Sequence, residues 1–529
     1  MAAVGEASIG LTPPPVKNFA ISAFGTHDKT ALLIGIFVIF VIYASVVGVL
    51  AVRRLGYGMT GLALFVAIGL LAALTRPTAT AAWALPTLVG GAAAALALRV
   101  LARAAAASPA GQAPGLESGS EPAQLSPDNA APSATPAPAA EPADSPWEAP
   151  ADWPPLPETL PVRARRPGSP AAGEPRRSFL IKGTTVAGVA AAAYLGGRLI
   201  TERTSVSEAQ ASLRIPRPAH PAPPLPAGSD LQIPGLSSFI TPNASFYRVD
   251  TAIVLPQIPP ANWQLRIHGM VDREITLSFD DLIHRPLIAD YITLTCVSNT
   301  VGGPYVGNAL WVGASVASLL RQAGVQASAN ELLCTSSDGF TSGVPLQTVM
   351  DGRDALLAVA MNGTALPVAH GFPVRMVVPG LYGYVSACKW ITDIEVTTFA
   401  ASFAYWATLG WAQQAPIKTE SRIDVPSGNG PVKAGPTAVA GVAWAQHKGI
   451  AAVEVQVDNG PWQEARLAAV PDIDCWRQWV WEWDATPGSH QIQARATDVT
   501  GYTQTSLQEP PEPNGASGYP SVTVNVNSA

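Results

Sequence analysis

Residues 31–52 form a run of 22 positions without a charge. A run of that length can cross a bilayer, and it can do so only as a helix, because lipid offers nothing to satisfy an open backbone. Residues 55–75 and 77–98 repeat the pattern, so residues 1–103 are expected to hold three transmembrane helices. A shorter apolar run, 183–197, lies between Lys182 and Arg198. It reads either as a fourth span or as the apolar part of a signal peptide. Arg53 and Arg54 follow the first run and Arg99 and Arg103 the third, while Arg163, Arg165, Arg166, Arg176, Arg177 and Lys182 precede the fourth. Cytoplasmic flanks collect such residues. One multi-pass arrangement fits: N-terminus outside, four spans, and the large C-terminal part outside. No histidine lies in any span, and no charged residue in the first three. A membrane haem and an ion path are therefore not indicated, and anchoring is the expected role.

Residues 104–175 are rich in Pro, Ala, Ser and Glu and poor in large apolar residues, the composition of a disordered linker. They run into PRRSFLIKG at 175–183. The paired Arg176 and Arg177, with Phe179, Leu180 and Lys182, resemble a twin-arginine export signal, which would make 176–200 a signal or a fourth transmembrane helix. That route carries proteins folded around a cofactor. The same arginines also satisfy the charge rule for a membrane flank. Residues 201–232 are Pro-rich and polar, a tether. The net charge of −6 gives nucleic-acid binding no electrostatic support. The four cysteines, Cys296, Cys334, Cys388 and Cys475, form no CxxC pair, so zinc knuckles and thioredoxin-type motifs are not indicated. One disulfide among the last three would suit an extracytoplasmic domain.

Residues 233–422 read as a mixed α+β domain. Residues 263–270 and 275–277 have strand character, and Ser278 suits a helix N-cap ahead of Asp280, Asp281 and Leu282. The run YITLT at 291–295 is a strand that delivers Cys296 into a turn of Ser298, Asn299, Gly302 and Gly303. A helix follows near Val316, Leu319 and Leu320, a strand at 332–335, a turn at 336–339, a short helix near 346–350 and a strand at 356–361. Asn362-Gly363 is a hairpin signal. There is no GxGxxG or Walker loop, so nucleotide cofactors are unsupported. A thiol at a strand-to-loop junction serves as a soft metal ligand, as a nucleophile, or simply as core.

Five short pieces in this domain, in order, resemble the molybdopterin-binding domain of the sulfite oxidase family. They are NASFYRVD at 243–250, CVSN at 296–299, NGTALP at 362–367, HGFPVR at 370–375, and Lys389 with Trp390. The resemblance implies molybdopterin carrying molybdenum, with Cys296 as the protein ligand to the metal. It assigns cofactor binding to Asn243, Phe246, Arg248, Asp338, His370, Arg375, Ser386, Cys388 and Lys389, with Arg248 also in the catalytic set beside Cys296. The residue chemistry is consistent. A lone cysteine suits a metal whose other ligands come from its cofactor, and Arg375 and Lys389 supply cations for a phosphate.

The sequence also departs from the family. Sulfite oxidases follow the metal cysteine with arginines that help bind an anionic substrate, whereas Thr300 and Val301 follow here. Sulfite is thus one expected substrate and a sulfoxide-like oxo compound the other. Tyr305, Tyr382, Tyr384, Trp406 and Trp411 would line a more neutral pocket or pack as core, with Lys418 and Arg422 as anion contacts. No fused haem domain and no CxxCH motif is present, so no haem is expected and electrons pass to a separate partner.

Residues 423–529 alternate in strand fashion at 439–444, 450–457, 462–467, 476–483, 490–497 and 522–526, broken by Asn459-Gly460 and Pro487-Gly488. That is the pattern of an immunoglobulin-like sandwich. It resembles the dimerisation domain that follows the molybdopterin domain in the same family, which implies a homodimer. The expected protein is a membrane-anchored bacterial oxidoreductase acting extracytoplasmically on a small molecule. The alternatives are a non-catalytic cell-surface binding protein that has lost its cofactor, and a thiol enzyme using Cys296 with a histidine.

Overall fold

The computed structural model describes residues 28–75, 84–106, 184, 188, 206–428 and 431–528. Helices α1 (Asp28–Arg53), α2 (Leu55–Leu74) and α3 (Ala84–Ala106) realise the three uncharged runs, and each is long and apolar enough to cross a membrane. They pack on one another through small residues. Gly58 admits Ala51 and Gly91 admits Val66 where any Cβ would collide, the close approach that apolar helices use. Tyr43 Oη caps the contact by donating to the Gly61 carbonyl at 2.7 Å. The linker after α3, the paired arginines and the fourth apolar run fall outside the described residues, Thr184 and Gly188 apart.

The next described segment opens with a short helix, α4 (Ser207–Ser212). The stretch expected as a tether is then laid along the folded domain. His220 bridges Ile288, and Leu213, Ile215 and Ala222 pack on the core.

Two sheets build the α+β domain. One has the order β2-β1-β10-β5-β6, from β1 (Gln264–Gly269), β2 (Ile275–Ser278), β5 (Glu331–Ser336), β6 (Thr341–Pro345) and β10 (Ile391–Thr397), with β1 parallel to β10. The other has the order β3-β4-β7-β8, from β3 (Leu287–Thr295), β4 (Val306–Ser315), β7 (Leu356–Met361) and β8 (Thr364–Ala365), with β9 (Arg375–Val377) also on β7. Local rules set the connections. Ser278 and Asp281 form a capping box on α5 (Phe279–Ile283). Ser315 caps α6 (Val316–Ala323), which ends on Gly324 at φ +71. Asn362 and Gly363 both take positive φ, turning β7 into β8. The short helices α7 (Leu346–Met350) and α8 (Gly383–Ser386) complete the domain.

The C-terminal part is two sheets packed face to face. Their orders are β11-β13-β17-β16 and β12-β19-β18-β14-β15. The strands are β11 (Glu420–Val425), β12 (Pro431–Lys433), β13 (Gly435–Trp444), β14 (Ile450–Val457), β15 (Gln463–Glu464), β16 (Arg466–Leu467), β17 (Arg477–Ala485), β18 (Gly488–Asp498) and β19 (Ser521–Asn527). Val439, Trp479 and Trp483 of one sheet meet Val453, Ile492, Ala494 and Val524 of the other. The single strand expected at 462–467 is two: β15 pairs with β14 and β16 with β17, so the chain changes sheets at buried Ala465. β11 and β12 were not anticipated, because their polar and Pro-containing sequences show no alternation.

The free edge of β3 is covered twice, which removes an open template for strand pairing. His220 backbone groups exchange hydrogen bonds with Leu287 and Ala289. Further along, Thr293 N–H donates to the Asp474 carbonyl at 3.0 Å, and Cys475 Sγ donates to the Tyr291 carbonyl at 3.2 Å. The C-terminal sheets are thereby tied to the strand that leads to Cys296.

Candidate functional site

Cys296 is the first residue beyond β3. Its N–H donates to the Tyr305 carbonyl at 2.9 Å and its carbonyl accepts from Asn299 N–H at 3.0 Å, closing the connection to β4. The thiol is buried, and burial pushes its pKa up, opposed by the N–H and hydroxyl of Ser298 and by the charge of Lys389. Such a thiol is a poor nucleophile on its own. No histidine is hydrogen-bonded to it among the described residues. A bound metal would deprotonate it outright, with the Ser298 donors stabilising the thiolate.

Segments distant in sequence bring three cations together, two of them on one carboxylate. Arg248 forks onto Asp250 at 2.8 and 3.2 Å, and Lys389 Nζ reaches the same Asp250 at 2.9 Å. Arg375 is 3% exposed yet meets only carbonyls, those of Met376, His370 and Ala387, at 3.2–3.4 Å, with Trp311 beneath its guanidinium at 5.1 Å. Burial lowers the Arg375 pKa to about 10 and that of Lys389 to about 8, the latter opposed by Asp250. An unneutralised cation buried this way costs several kcal/mol. The cluster therefore suits an anion such as a phosphate.

His370 ends a 3-10 turn at Val368–His370. Its Nε2 lies 3.2 Å from the Asn243 carbonyl, which can only accept, so Nε2 carries the proton. Burial and the nearby Arg375 and Lys389 hold its pKa down to about 4, and the ring is neutral. Nδ1 is then a buried acceptor with no partner among the described residues, as Asn299 Nδ2 is a buried donor with none among them. Orphans of this kind ask for a ligand. A heterocycle bearing N–H and C=O groups, a phosphate and a metal would satisfy the donors, cations and thiol present, so the residues fit a molybdopterin.

The other expected residues fall into two groups. Asn243 positions the site: its carbonyl holds His370 and its side chain is locked to Asn362. Phe246 walls it, edge-on to His370 at 5.6 Å and to Trp311 at 5.8 Å. Arg248 is in the cation cluster, whereas the cation acting on the Cys296 thiol is Lys389. Asp338, Ser386 and Cys388 turn elsewhere. Asp338 closes its own turn by accepting from Phe340 N–H, Ser386 donates to the Leu381 and Tyr382 carbonyls, and Cys388 Sγ faces the Cys334 and Lys389 carbonyls.

Two expectations need correction, and a third had two readings. All four cysteines are free thiols, with Cys388 aimed at the Cys334 carbonyl and not at its sulfur. Lys418 and Arg422 are not open to an anion. Lys418 holds Asn514 and the Gly515 carbonyl, and Arg422 holds Asp424, Ser237 and the Gly303 carbonyl. Of the two readings for the aromatic residues, core packing holds for Tyr382, while Tyr384, Trp411 and Trp406 pack in series at 5.9 and 5.8 Å, with Tyr384 and Trp406 lining a small cavity.

Sequence reasoning passed over Tyr247 and Asp250, although both lie in the 243–250 piece. Asp250 is the shared counter-ion. Tyr247 stacks on Phe246 at 5.3 Å, and the charges of both Cys296 and Arg375 act on its hydroxyl. Burial keeps that hydroxyl protonated. The signal for Asp250 was its place two residues after Arg248, within reach of that side chain.

Residues 252–406 match the family described as "Oxidoreductase molybdopterin binding domain". Mitochondrial sulfite oxidase of Mus musculus is 29% identical over 306 residues, covering 49% of this chain and 55% of its own length. The chain carries a molybdopterin-binding oxidoreductase domain similar to that of sulfite oxidases. Another relative, the uncharacterized oxidoreductase YuiH of Bacillus subtilis, is 34% identical over 135 residues, 26% of this chain and 65% of its own. Among solved structures, the sulfane dehydrogenase SoxCD of Paracoccus pantotrophus aligns over 55% of this chain and 84% of its own with TM-score 0.48 and 23% identity. The chain spans about half the length of the first sulfite oxidases it matches. What it shares with them is the molybdopterin-binding oxidoreductase domain around Cys296.

Proposed function

We propose that this chain is a molybdenum-cofactor-dependent oxidoreductase that moves an oxygen atom to or from a small sulfite- or sulfoxide-like substrate. The observation that carries the reading is the buried Cys296 thiol beside three cations, of which Arg248 and Lys389 share Asp250 and Arg375 has no carboxylate partner among the described residues. The cofactor, when bound, supplies two-electron oxygen-atom transfer at its metal. Cys296 offers the protein ligand, and Ser298 orients and stabilises its thiolate. Arg375, Lys389 and Arg248 hold the phosphate, and His370 Nδ1 accepts from the pterin. Asn299 Nδ2 and the protonated Tyr247 hydroxyl face the remaining polar groups. No arginine stands at 297–301, directly after Cys296, and Lys418 and Arg422 are committed elsewhere. The charge left for a substrate therefore favours a neutral oxo compound over a dianion.

On this reading the N-terminal helices anchor a multi-pass bacterial membrane protein, the arginine-flanked segment before the domain acts in export, and the catalytic domain faces outward. The C-terminal sandwich is immunoglobulin-like and dimerising, as expected from the family resemblance. Electrons pass to a separate partner.

The test is molybdenum and pterin content of the full chain, expressed in a host that makes the cofactor, beside Cys296→Ala. Stoichiometric molybdenum, with its absorption altered in Cys296→Ala, supports the reading. Assays with sulfite and with sulfoxides then assign the substrate. Folded protein with neither molybdenum nor pterin overturns it in favour of a binding protein.

A further inference from the structure

Four buried polar atoms with no hydrogen-bond partner among the described residues lie along the junction of the α+β domain and the C-terminal sheets. They are Tyr382 Oη, Glu420 Oε1, Trp444 Nε1 and Gln446 Oε1. Strand register puts them there. Glu420 stands opposite Trp444 in the β11–β13 ladder, so the two side chains share a face. That face is turned to the α+β domain, because Val442 and Trp444 pack in its core. Tyr382 arrives from the other side. Its N–H donates to the Ala415 carbonyl at 2.8 Å, and Ile417 N–H donates to the Gly380 carbonyl at 3.0 Å. The residues before α8 therefore run beside the approach to β11, and the charge of Glu420 acts on the phenol. Lys418 N–H approaches Tyr382 Oη outside hydrogen-bond geometry, and the hydroxyl's own proton has no acceptor.

The line has two ends. At one, Gln446 donates to Thr295 Oγ1 at 3.1 Å, next to Cys296, and a thiolate at Cys296 acts on the Tyr382 hydroxyl. At the other, half-buried Lys418 holds the Asn514 side chain at 3.1 Å and the Gly515 carbonyl at 2.5 Å, and the Gly515 backbone lies over Tyr382 Oη. Glu420 is 4% exposed. The cation that acts on it is Lys418, whose ammonium is spent on Asn514 and Gly515. Arg422, two residues further along the same face, is spent on Asp424, Ser237 and the Gly303 carbonyl. Burial pushes Glu420 up to about 8, so it carries a proton at neutral pH.

The unpartnered atoms alternate between donors and acceptors. Water does both, and it is what ordinarily satisfies buried groups of this kind. We propose that these groups line a file of buried water that carries protons between the cysteine site and the surface beside Lys418, with Glu420 holding the proton in transit. The proposal rests on the oxygen-atom-transfer reading. A substrate oxygen that leaves as water takes two protons with it while the substrate gains two electrons, and the reverse reaction returns both. The separate partner handles the electrons, and this path handles the protons.

The experiment is infrared spectroscopy of the full chain in detergent, wild type beside Glu420→Gln, in water and after transfer to deuterium oxide. Glutamine keeps the shape of the buried side chain and removes its proton. The wild type is expected to show a protonated carboxyl band that Glu420→Gln lacks and that disappears as pH rises through about 8. In deuterium oxide the band is expected to shift about tenfold or more faster than the β11 and β13 amides exchange, because water reaches it without opening the strands. Absence of the band, or a shift only as those amides exchange, overturns the path. In molybdenum-loaded protein, Glu420→Gln and Tyr382→Phe are expected to keep their metal and to lower kcat by about tenfold or more with KM unchanged. Glu420→Gln is also expected to lose the wild type's pH dependence around the Glu420 ionisation. Wild-type kcat and pH profile in both variants overturns the path and leaves the oxygen-transfer reading standing. Folded wild type without molybdenum overturns both.

Discussion

Gln446, just past β13, donates its side-chain amide to Thr295 Oγ1 at 3.1 Å, one residue before Cys296. The same nitrogen donates to the Thr293 carbonyl at 3.0 Å. A residue of the C-terminal sheets thus helps fix the strand end that presents the thiol. Gln446→Ala should leave those buried acceptors unsatisfied at a cost of about 1–3 kcal/mol. The melting temperature should fall by about 2–4 °C per kcal/mol. An unchanged melting temperature would mean that the contact contributes little.

Arg375 is buried against carbonyls and, among the described residues, has no carboxylate in ion-pair contact. Its charge is therefore costly until an anion arrives. Arg375→Met should reduce retained molybdenum by about tenfold or more, the worth of a charge-assisted phosphate contact. Cofactor-free variant should melt within a few degrees of cofactor-free wild type. Full molybdenum retention would remove Arg375 from the cofactor site.

Lys389 carries its charge only below about pH 8, because burial lowers its pKa against the pull of Asp250. Anion binding that uses this charge weakens as pH rises through that value. Reloading of cofactor-free protein should therefore slow between pH 7 and about 9, a window set by the lowered lysine. Lys389→Arg, which stays charged, should flatten that dependence. A profile identical in both proteins would count against Lys389 as the titrating group.

Asp290 holds its proton up to about pH 7, whereas an unfolded aspartate releases it near pH 4. Between those values the native state binds more protons than the unfolded one. Its contribution is thus most favourable at low pH and is lost as pH rises through the window. Comparing melting temperatures from about pH 4 to 8, wild type should lose ground to Asp290→Asn as pH rises. Parallel curves would show that Asp290 is not the group responsible.

Much of the scaffold was legible because it follows local rules. An uncharged run fixes α1 to α3, a serine with an acid three residues on fixes α5, and Asn362-Gly363 fixes the turn from β7 to β8. Alternation in 476–483 predicts β17, with Trp479 and Trp483 on its buried face. The polar β11 and the short β12 lacked that signal and are strands because β13 and β19 pair with them.

By itself the sequence determined which residue types arrive at the site: one thiol at a strand end, a histidine and an arginine five residues apart, and a lysine before a tryptophan. It also determined that the three runs 31–52, 55–75 and 77–98 are uncharged and long enough to cross a membrane. Only the tertiary structure decided how those groups are used. Asp250 became the shared counter-ion of Arg248 and Lys389, while Arg375 was left without one. Lys418 and Arg422 were drawn into joining the two β-rich parts, and the side chains of Ser386 and Cys388 into local packing. The physical reason is that secondary structure follows from neighbours in sequence, whereas burial and charge pairing depend on groups more than a hundred residues away. Lys389 and Asp250, 139 residues apart and 2.9 Å from contact atom to contact atom, are the case in point.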